Sequence, residues 1–356
     1  MNTDLLKRIA RLVGATIVAF AGVVSFTGCS AIMDDEPEPC PVGLKIRFVY
    51  DYNLERANAF HNQVDCLTVH FYDADGKYVM TRTETTDVLA DEDYRMTVDL
   101  PQGHYTIIAY GGVECDKASF SHTNVPAEGS DISELGMQLK PETLEPGNPK
   151  GHLHDHFYGR LEADVKVSPE RPQVTVKMMK DTNHFRFILQ QLSYEPLDGR
   201  DYEFKITDDN SLFDYTNMLV DNGQITYTPW STGAIELGTA SDGFVDLKAA
   251  DNEGPDQTLV KVAYADLSTS RLMLMRAPRL SVVHKESGDE IISIPLNKYL
   301  LATRSFHYDW CGDQEYLDRK SDWSLIFLLD NPRQWHTVSI KIDDWVVRIN
   351  DIEAKP

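Results

Sequence analysis

From Leu44 onward apolar and polar positions alternate along the chain. Leu44, Ile46, Phe48 and Tyr50 alternate with Lys45 and Arg47, and Leu67, Val69 and Phe71 alternate with Thr68 and His70. The turn-forming run Asp73-Ala74-Asp75-Gly76 leads into a further strand at 78–81. Tyr94, Met96, Val98 and Leu100 pass through Pro101-Gln102-Gly103 into Tyr105, Ile107 and Ala109, and Val174, Val176 and Met178 close this half. A period of two sends successive side chains to opposite faces, so the pattern predicts antiparallel sheets with one buried and one solvated face. One stretch departs from it. Leu54, Ala57, Phe60 and Val64 recur at helical spacing after Asn53, a favourable N-cap, and predict a helix there.

The run from Gly147 to Gly151 (Gly-Asn-Pro-Lys-Gly) reads as a long loop. Alternation restarts at Phe185, Phe187 and Leu189 and at Tyr202, Phe204 and Ile206. Further strands are expected at 259–267, 272–275, 280–283, 291–294, 325–329, Val338–Ile342 and Trp345–Ile349. The prediction is an all-β protein with few short helices, cut near residue 180 into an N-terminal β-sandwich (44–180) and a C-terminal β-sandwich (181–356). No exact internal repeat relates the halves.

The 356 residues are 42% hydrophobic and 10% aromatic, enough for a real core and too apolar for wholesale disorder. Lys and Arg number 34 against 56 Asp and Glu, a formal charge of −22. No positive field is left to offset phosphate repulsion, so no nucleic-acid partner is expected.

The cations are unevenly placed. Lys7, Arg8 and Arg11 precede an apolar run over 12–26, which is followed by Thr27-Gly28-Cys29. A basic start, a short apolar stretch and small residues describe a secretory signal peptide over 1–28; the apolar run is shorter than the ~20 residues of a spanning helix. Phe26-Thr27-Gly28-Cys29 resembles a lipobox, which implies cleavage before Cys29 and acylation of that residue. Several acyl chains anchor durably where one does not. The competing readings are a non-lipidated signal or a short anchor helix with an incidental cysteine. Removing 1–28 leaves 31 cations against 55 acids, a charge of −24 over 328 residues. Residues 29–43 then form an acidic, proline-broken tether containing Asp34, Asp35, Glu36 and Glu38. It resembles the acidic signal that follows the lipidated cysteine in Bacteroidetes-type lipoproteins of the outer surface; the alternative is a plain solvated linker.

Four cysteines remain, Cys40, Cys66, Cys115 and Cys311. Export to an oxidising compartment allows up to two disulfides, with three connectivities; Cys66 with Cys115 is one of the pairings open to them. No Cys-x-x-Cys or Cys/His spacing suggests zinc. His152, His154 and His156 are the sharpest constellation. On an extended chain, alternate spacing places them on one face, where a transition metal could bind, against the plainer reading of exposed histidines with no ligand. Asp73-x-Asp75-Gly76 resembles the start of a calcium loop but lacks its final Glu, which favours a hairpin turn. No nucleophile elbow, phosphate loop or dinucleotide fingerprint is present, and no carboxylate pair is singled out, so neither an enzyme nor a cofactor is expected. Of Trp230, Trp310, Trp323, Trp335 and Trp345, the third and fifth border strand-like runs and are expected to pack; Trp310 and Trp335 lie nearer turns and remain open as sugar-stacking residues.

Together these stretches carry a resemblance. The lipobox at Cys29 leads into 44–50; 69–76 precedes 100–105 and Tyr110-Gly111-Gly112; Arg271-Leu272 leads to 294–301; and 314–319 precedes 324–328 and 342–348. In this order and spacing the chain resembles the FimB-like anchor and accessory lipoproteins of Bacteroidetes type V fimbriae. The resemblance implies two tandem transthyretin-like β-sandwich domains and a lipid that fixes the protein to the outer membrane, at the cell surface. It also implies a fimbrial shaft subunit as partner, joined by β-strand addition, and a part in limiting fimbrial length. Shaft subunits of such systems lose an N-terminal strand to a protease. Here cleavage would free the body from its lipid, so an anchor that keeps its own first strand is expected. The alternatives are a surface glycan-binding lipoprotein and, third, a lipid-anchored hydrolase.

Overall fold

The first-half alternation becomes a seven-stranded sheet: β1 (Gly43–Val49), β2 (Leu67–Tyr72), β3 (Tyr78–Glu84), β4 (Met96–Asp99), β5 (Gly103–Gly111), β8 (Phe157–Val165) and β9 (Gln173–Lys180), in the order β3-β2-β5-β8-β9-β1-β4. The structure, a computed structural model, describes residues 42–330 except 169, 240–244 and 247–258, together with 338–342 and 345–349. All neighbours in this sheet are antiparallel except β1 and β9, which run parallel. Leu44, Ile46, Phe48, Val69, Phe71, Ile107, Val176 and Met178 form one buried cluster, the apolar half of the period-two pattern.

The other face of this sheet differs from expectation. Thr68 and His70, on the polar half of β2, are buried. They are covered because a three-stranded sheet packs there, made of β6 (Phe120–His122), β7 (Gly136–Leu139) and β12 (Leu212–Asp214) in the order β12-β7-β6. β6 and β7 come from the first half and β12 from the second, so one ladder crosses the boundary near 180.

In the second half, β10 (Thr182–Gln191), β14 (Ser231–Thr239), β15 (Val245–Asp246), β16 (Leu259–Ser270) and β19 (Asp322–Leu329) form a sheet ordered β15-β14-β16-β10-β19. β11 (Tyr202–Asp208), β13 (Ile225–Tyr227), β17 (Arg279–His284) and β18 (Glu290–Pro295) form another, ordered β13-β11-β17-β18. Phe185, Phe187 and Leu189 of the former join Phe204, Ile206, Leu280 and Ile292 of the latter in a cluster that also takes in Tyr72, Ile108, Tyr110 and Phe120 of the first half. The halves therefore share apolar core. Each opens on a strand that pairs in parallel with a late one, β1 with β9 and β10 with β19. β20 (Val338–Ile342) and β21 (Trp345–Ile349) pair antiparallel.

Three short α-helices occur among the described residues: α1 (Phe60–Gln63), α2 (Leu296–Ala302) and α3 (Asp313–Arg319). The helix expected from Leu54 shrinks to the single turn α1. Asn53 does not cap it: its amide donates to the Tyr50 and Ala57 carbonyls and its Oδ1 accepts from Ala57 N, closing a loop in which Arg56 has φ +55°. The strand expected at 272–275 is a turn, in which Leu272 and Met273 are buried while Met275 is exposed and Arg276 N donates to Met273 O. The Asp73–Gly76 run is the β2–β3 turn: Asp73 Oδ1 accepts from Asp75 N and Lys77 N, and Gly76 takes φ +73°. No helix of the described residues is long and apolar enough to cross a membrane. Residues 1–41, with the expected signal peptide, Cys29, Cys40 and all but the last two residues of the expected acidic tether, and likewise Trp335, lie outside the described residues.

Candidate functional site

In an all-β body the sheet edges and the first strand hold the backbone groups that another chain could pair with. β1 lies between β4 and β9, with Gly43 opposite Asp99 and Lys45 opposite both Thr97 and Gln173. Lys45 N also donates to Pro172 O at 3.0 Å. Both of its edges are occupied, and Leu44, Ile46 and Phe48 fill the core beneath. The slot that this strand occupies is closed by the chain itself.

Open edges lie elsewhere. Among the described residues, β3 and β4 end the first sheet and β13 and β18 end the four-stranded one. β4 and β13 span only four and three residues. β3 carries Arg82 and Glu84, and the loop at Ser130 and Asp131 covers its start, with Tyr78 N donating to Ser130 O. Charges and covering loops blunt an edge against further pairing. β18, Glu290–Pro295, has no charge after Glu290, its Ile291, Ile292 and Ile294 are buried, and among the described residues it pairs only with β17.

Buried polar bonds lock the two halves behind these edges. Arg271 makes a two-pronged pair with Asp318, Nε to Oδ1 at 2.8 Å and Nη2 to Oδ2 at 2.9 Å, and its Nη1 donates to Asn217 O. Fork-to-fork geometry of this kind is the strong form of an ion pair. Beside it Asp181 accepts from Asn217 Nδ2, and burial pushes its carboxyl up to about 7, outweighing the pull of Arg271. Arg319 of α3 donates to the Asp51 and Asn53 carbonyls of the first half and lies over the Tyr52 ring at 4.1 Å. Asp155 accepts from Lys180, His184 and Thr182. Burial opposes its charge, but the His184 and Lys180 bonds win and hold its carboxyl below the usual range.

The histidine run does not act as a unit. The expected common face is lost because 151–156 is irregular and each ring finds a different partner. His152 packs on Trp230 and His184; His154 Nε2 meets Asp65 Oδ1 at 2.9 Å; His156 is buried between Phe120 and Tyr110 with Nδ1 on Gly111 O. Burial pushes the His156 imidazole down to about 3, keeping it neutral. Only His154 joins a set of potential ligands, with Asp65, Cys66 and Cys115. Cys66 and Cys115 are bonded to each other with Cα atoms 6.3 Å apart, and Cys311 is a buried free thiol. Cys66 precedes β2 and is buried. Trp323 packs in the core with its indole N–H on Asn183 Oδ1. Trp310 is half exposed, its ring covered by the Arg56 guanidinium at 3.5 Å. No local pattern marks Asp181 or Asp318, which sit among other polar residues in Lys180-Asp181-Thr182 and Asp318-Arg319-Lys320, or gives the Arg271 side chain a role.

An all-β body, closed on its first strand and locked across two halves, defines the fold class. The model of the Mfa2 family, the fimbrillin-A associated anchor proteins Mfa1 and Mfa2, matches residues 36–351, and the chain belongs to this family. A candidate adhesin from Bacteroides thetaiotaomicron shares 45% identity at a TM-score of 0.79, covering 88% of this chain and 100% of that one. A candidate polysaccharide-binding protein from the same organism shares 28% identity at 0.69, covering 87% and 98%. The fimbrial anchor protein Mfa2 of Porphyromonas gingivalis, at 17% identity, TM-score 0.60 and coverage of 87% and 99%, shares the fold. No curated protein matches the sequence. The all-β architecture expected from the alternation is thus borne out, and the neighbours that share it are Mfa2-like fimbrial anchor folds. Membership gives the chain a fimbrial accessory role and a cell-envelope or surface location.

Proposed function

We propose that this protein is the lipid-held base of a fimbria: Cys29 carries the acyl chains that fix it to the outer membrane, at the cell surface, and the folded body grips the first shaft subunit and limits fimbrial length. The observation that carries this reading is β1, whose residues Gly43–Val49 are already paired on both edges and buried beneath. A shaft subunit must offer an empty slot to its neighbour; a terminal subunit that keeps its own strand ends the chain of exchange on the membrane side. Gly43 lies fourteen positions after Cys29. Fully extended, that stretch spans at most about 50 Å, so the body stays close to the lipid surface. The body binds rather than catalyses.

The shaft subunit joins by adding a strand, main chain to main chain, with alternate side chains filling pockets. Of the edges β3, β4, β13 and β18, β18 suits this best, being uncharged after Glu290 and backed by buried isoleucines. A photo-cross-linker placed at Glu290 should capture the shaft subunit, and one at Arg82 on β3 should not. Deletion of the gene should leave fimbriae detached or abnormally long; attached fimbriae of normal length would contradict the reading.

A second reading, a surface glycan binder, is favoured by the polysaccharide-binding description of the 28%-identical relative and by half-exposed Trp310. Glycan-array binding that disappears in Trp310→Ala would establish it.

A further inference from the structure

Three separate segments bring four metal-ligating side chains together at the end of the first sheet. Asp65 and Cys66 precede β2, Cys115 follows β5, and His154 precedes β8; one ligand atom from each lies within 4.8 Å of all the others. His154 is held there from two sides, its Nε2 facing Asp65 Oδ1 at 2.9 Å and its backbone N donating to Ser119 Oγ at 2.7 Å. The cysteines occupy this cluster as a disulfide, and sulfur in that form is a poor ligand. Two thiolates, one imidazole and one carboxylate are the donor set of a tetrahedral zinc site, whose ligand atoms stand about 3–4 Å apart.

We propose that the Cys66–Cys115 disulfide conceals a thiol-gated zinc site, completed by His154 and Asp65. An external dithiol delivers two electrons and two protons: the Cys66–Cys115 bond breaks to give two thiols, and the dithiol leaves as a disulfide. Zn2+ then takes both sulfurs as thiolates, releasing their two protons to solvent, and closes on His154 Nε2 and Asp65. A Cα separation of 6.3 Å leaves room for the sulfurs to part from bonding distance to the spacing a shared metal requires. The same two loops are then joined by metal in place of the covalent bond, so the ends of β2 and β5 stay tied in either redox state. Lys117 Nζ lies 3.7 Å from Asp65 Oδ2 and is exposed, so its charge competes with the cation from the rim.

The test uses the mature chain, oxidised and, in parallel, reduced under anaerobic conditions, with Zn2+ and Co2+ as probes. The reduced chain should bind one ion, and with Co2+ should show the thiolate-to-cobalt charge-transfer band and the visible bands of a tetrahedral centre. The oxidised chain should show neither. His154→Ala should weaken binding at least tenfold with the thiolate band retained, Cys115→Ser should abolish the band, and Lys117→Ala should tighten binding. If reduction unfolds the chain, added Zn2+ should restore its fold, since binding to the folded form is linked to folding. The proposal is overturned by a reduced chain that binds no metal, by unfolding that zinc does not reverse, or by His154→Ala and Asp65→Asn binding as tightly as the parent.

Discussion

Arg271 and Asp318 meet through both arms of their side chains, and they do so where β16 gives way to the turn at 272–275 and where α3 ends. Both side chains are largely shielded from water. The pair fixes α3, which in turn presents Arg319 to the first half. Removing one partner strands the other charge in a poorly solvating site, a loss of about 3–5 kcal/mol. Asp318→Ala and Arg271→Ala should each lower the denaturant midpoint by a shift of that size. The double change to apolar residues of similar volume should recover much of it.

Asp181 makes stability depend on pH. Its carboxyl is raised to about 7 in the folded protein, chiefly by burial, against an ordinary value of 3.8. Between these values the folded chain holds a proton that the unfolded chain has released. Stability contributed by this group is therefore complete below about pH 4 and falls as pH rises towards 7, by up to about 1.4 kcal/mol per pH unit, then levels off. Asp208 is raised to about 7 for the same first reason and adds to the slope. Urea titrations of Asp181→Asn at pH 5 and pH 8 should show a smaller loss of stability between the two than the parent shows.

The disulfide joins residues 49 apart in sequence. Closing a loop of that length removes unfolded-chain entropy worth about 4 kcal/mol in the chain-entropy model. Cys66→Ala with Cys115→Ala should lower stability by about that amount, read as a shift in thermal or urea unfolding, while β1–β5 keep their hydrogen-exchange protection in the folded state.

Gly112 has φ +78°, and a Cβ there would fall inside the Asp155 carbonyl group. It is the point where the exit from β5 passes the segment that carries Asp155 and His156. Gly112→Ala combines strain in a left-handed position with a clash against backbone, so a loss of at least about 2 kcal/mol is expected on chemical denaturation. Gly147, also at positive φ but with open space around it, should tolerate the same change with a smaller loss.

The strands were legible because their apolar residues face cores at a period of two: Leu44, Ile46 and Phe48 or Phe185, Phe187 and Leu189 declare themselves. The helix at Leu54 misled because Asn53 uses its side chain to close a loop rather than to start a turn. β2 misled on one face, since Thr68 and His70 look solvated until a third sheet covers them. Its strands β6 and β12 span three residues each, too short for any periodicity to register. Of the candidate site residues, His154 reached a ligand cluster through Asp65 and Cys115, partners far away in sequence that no local spacing could reveal. The Arg271–Asp318 pair was hidden for the same reason, 47 residues apart.

The central claim is that lipid on Cys29 holds fimbriae to the cell through this protein. The most direct measurement is quantitative imaging and fractionation of fimbriae in cells whose only copy carries Cys29→Ala. The account predicts that the variant leaves the membrane fraction and that fimbriae are shed into the medium. Fimbriae that stay on the cell at normal length, with the variant still sedimenting with membranes, would contradict it.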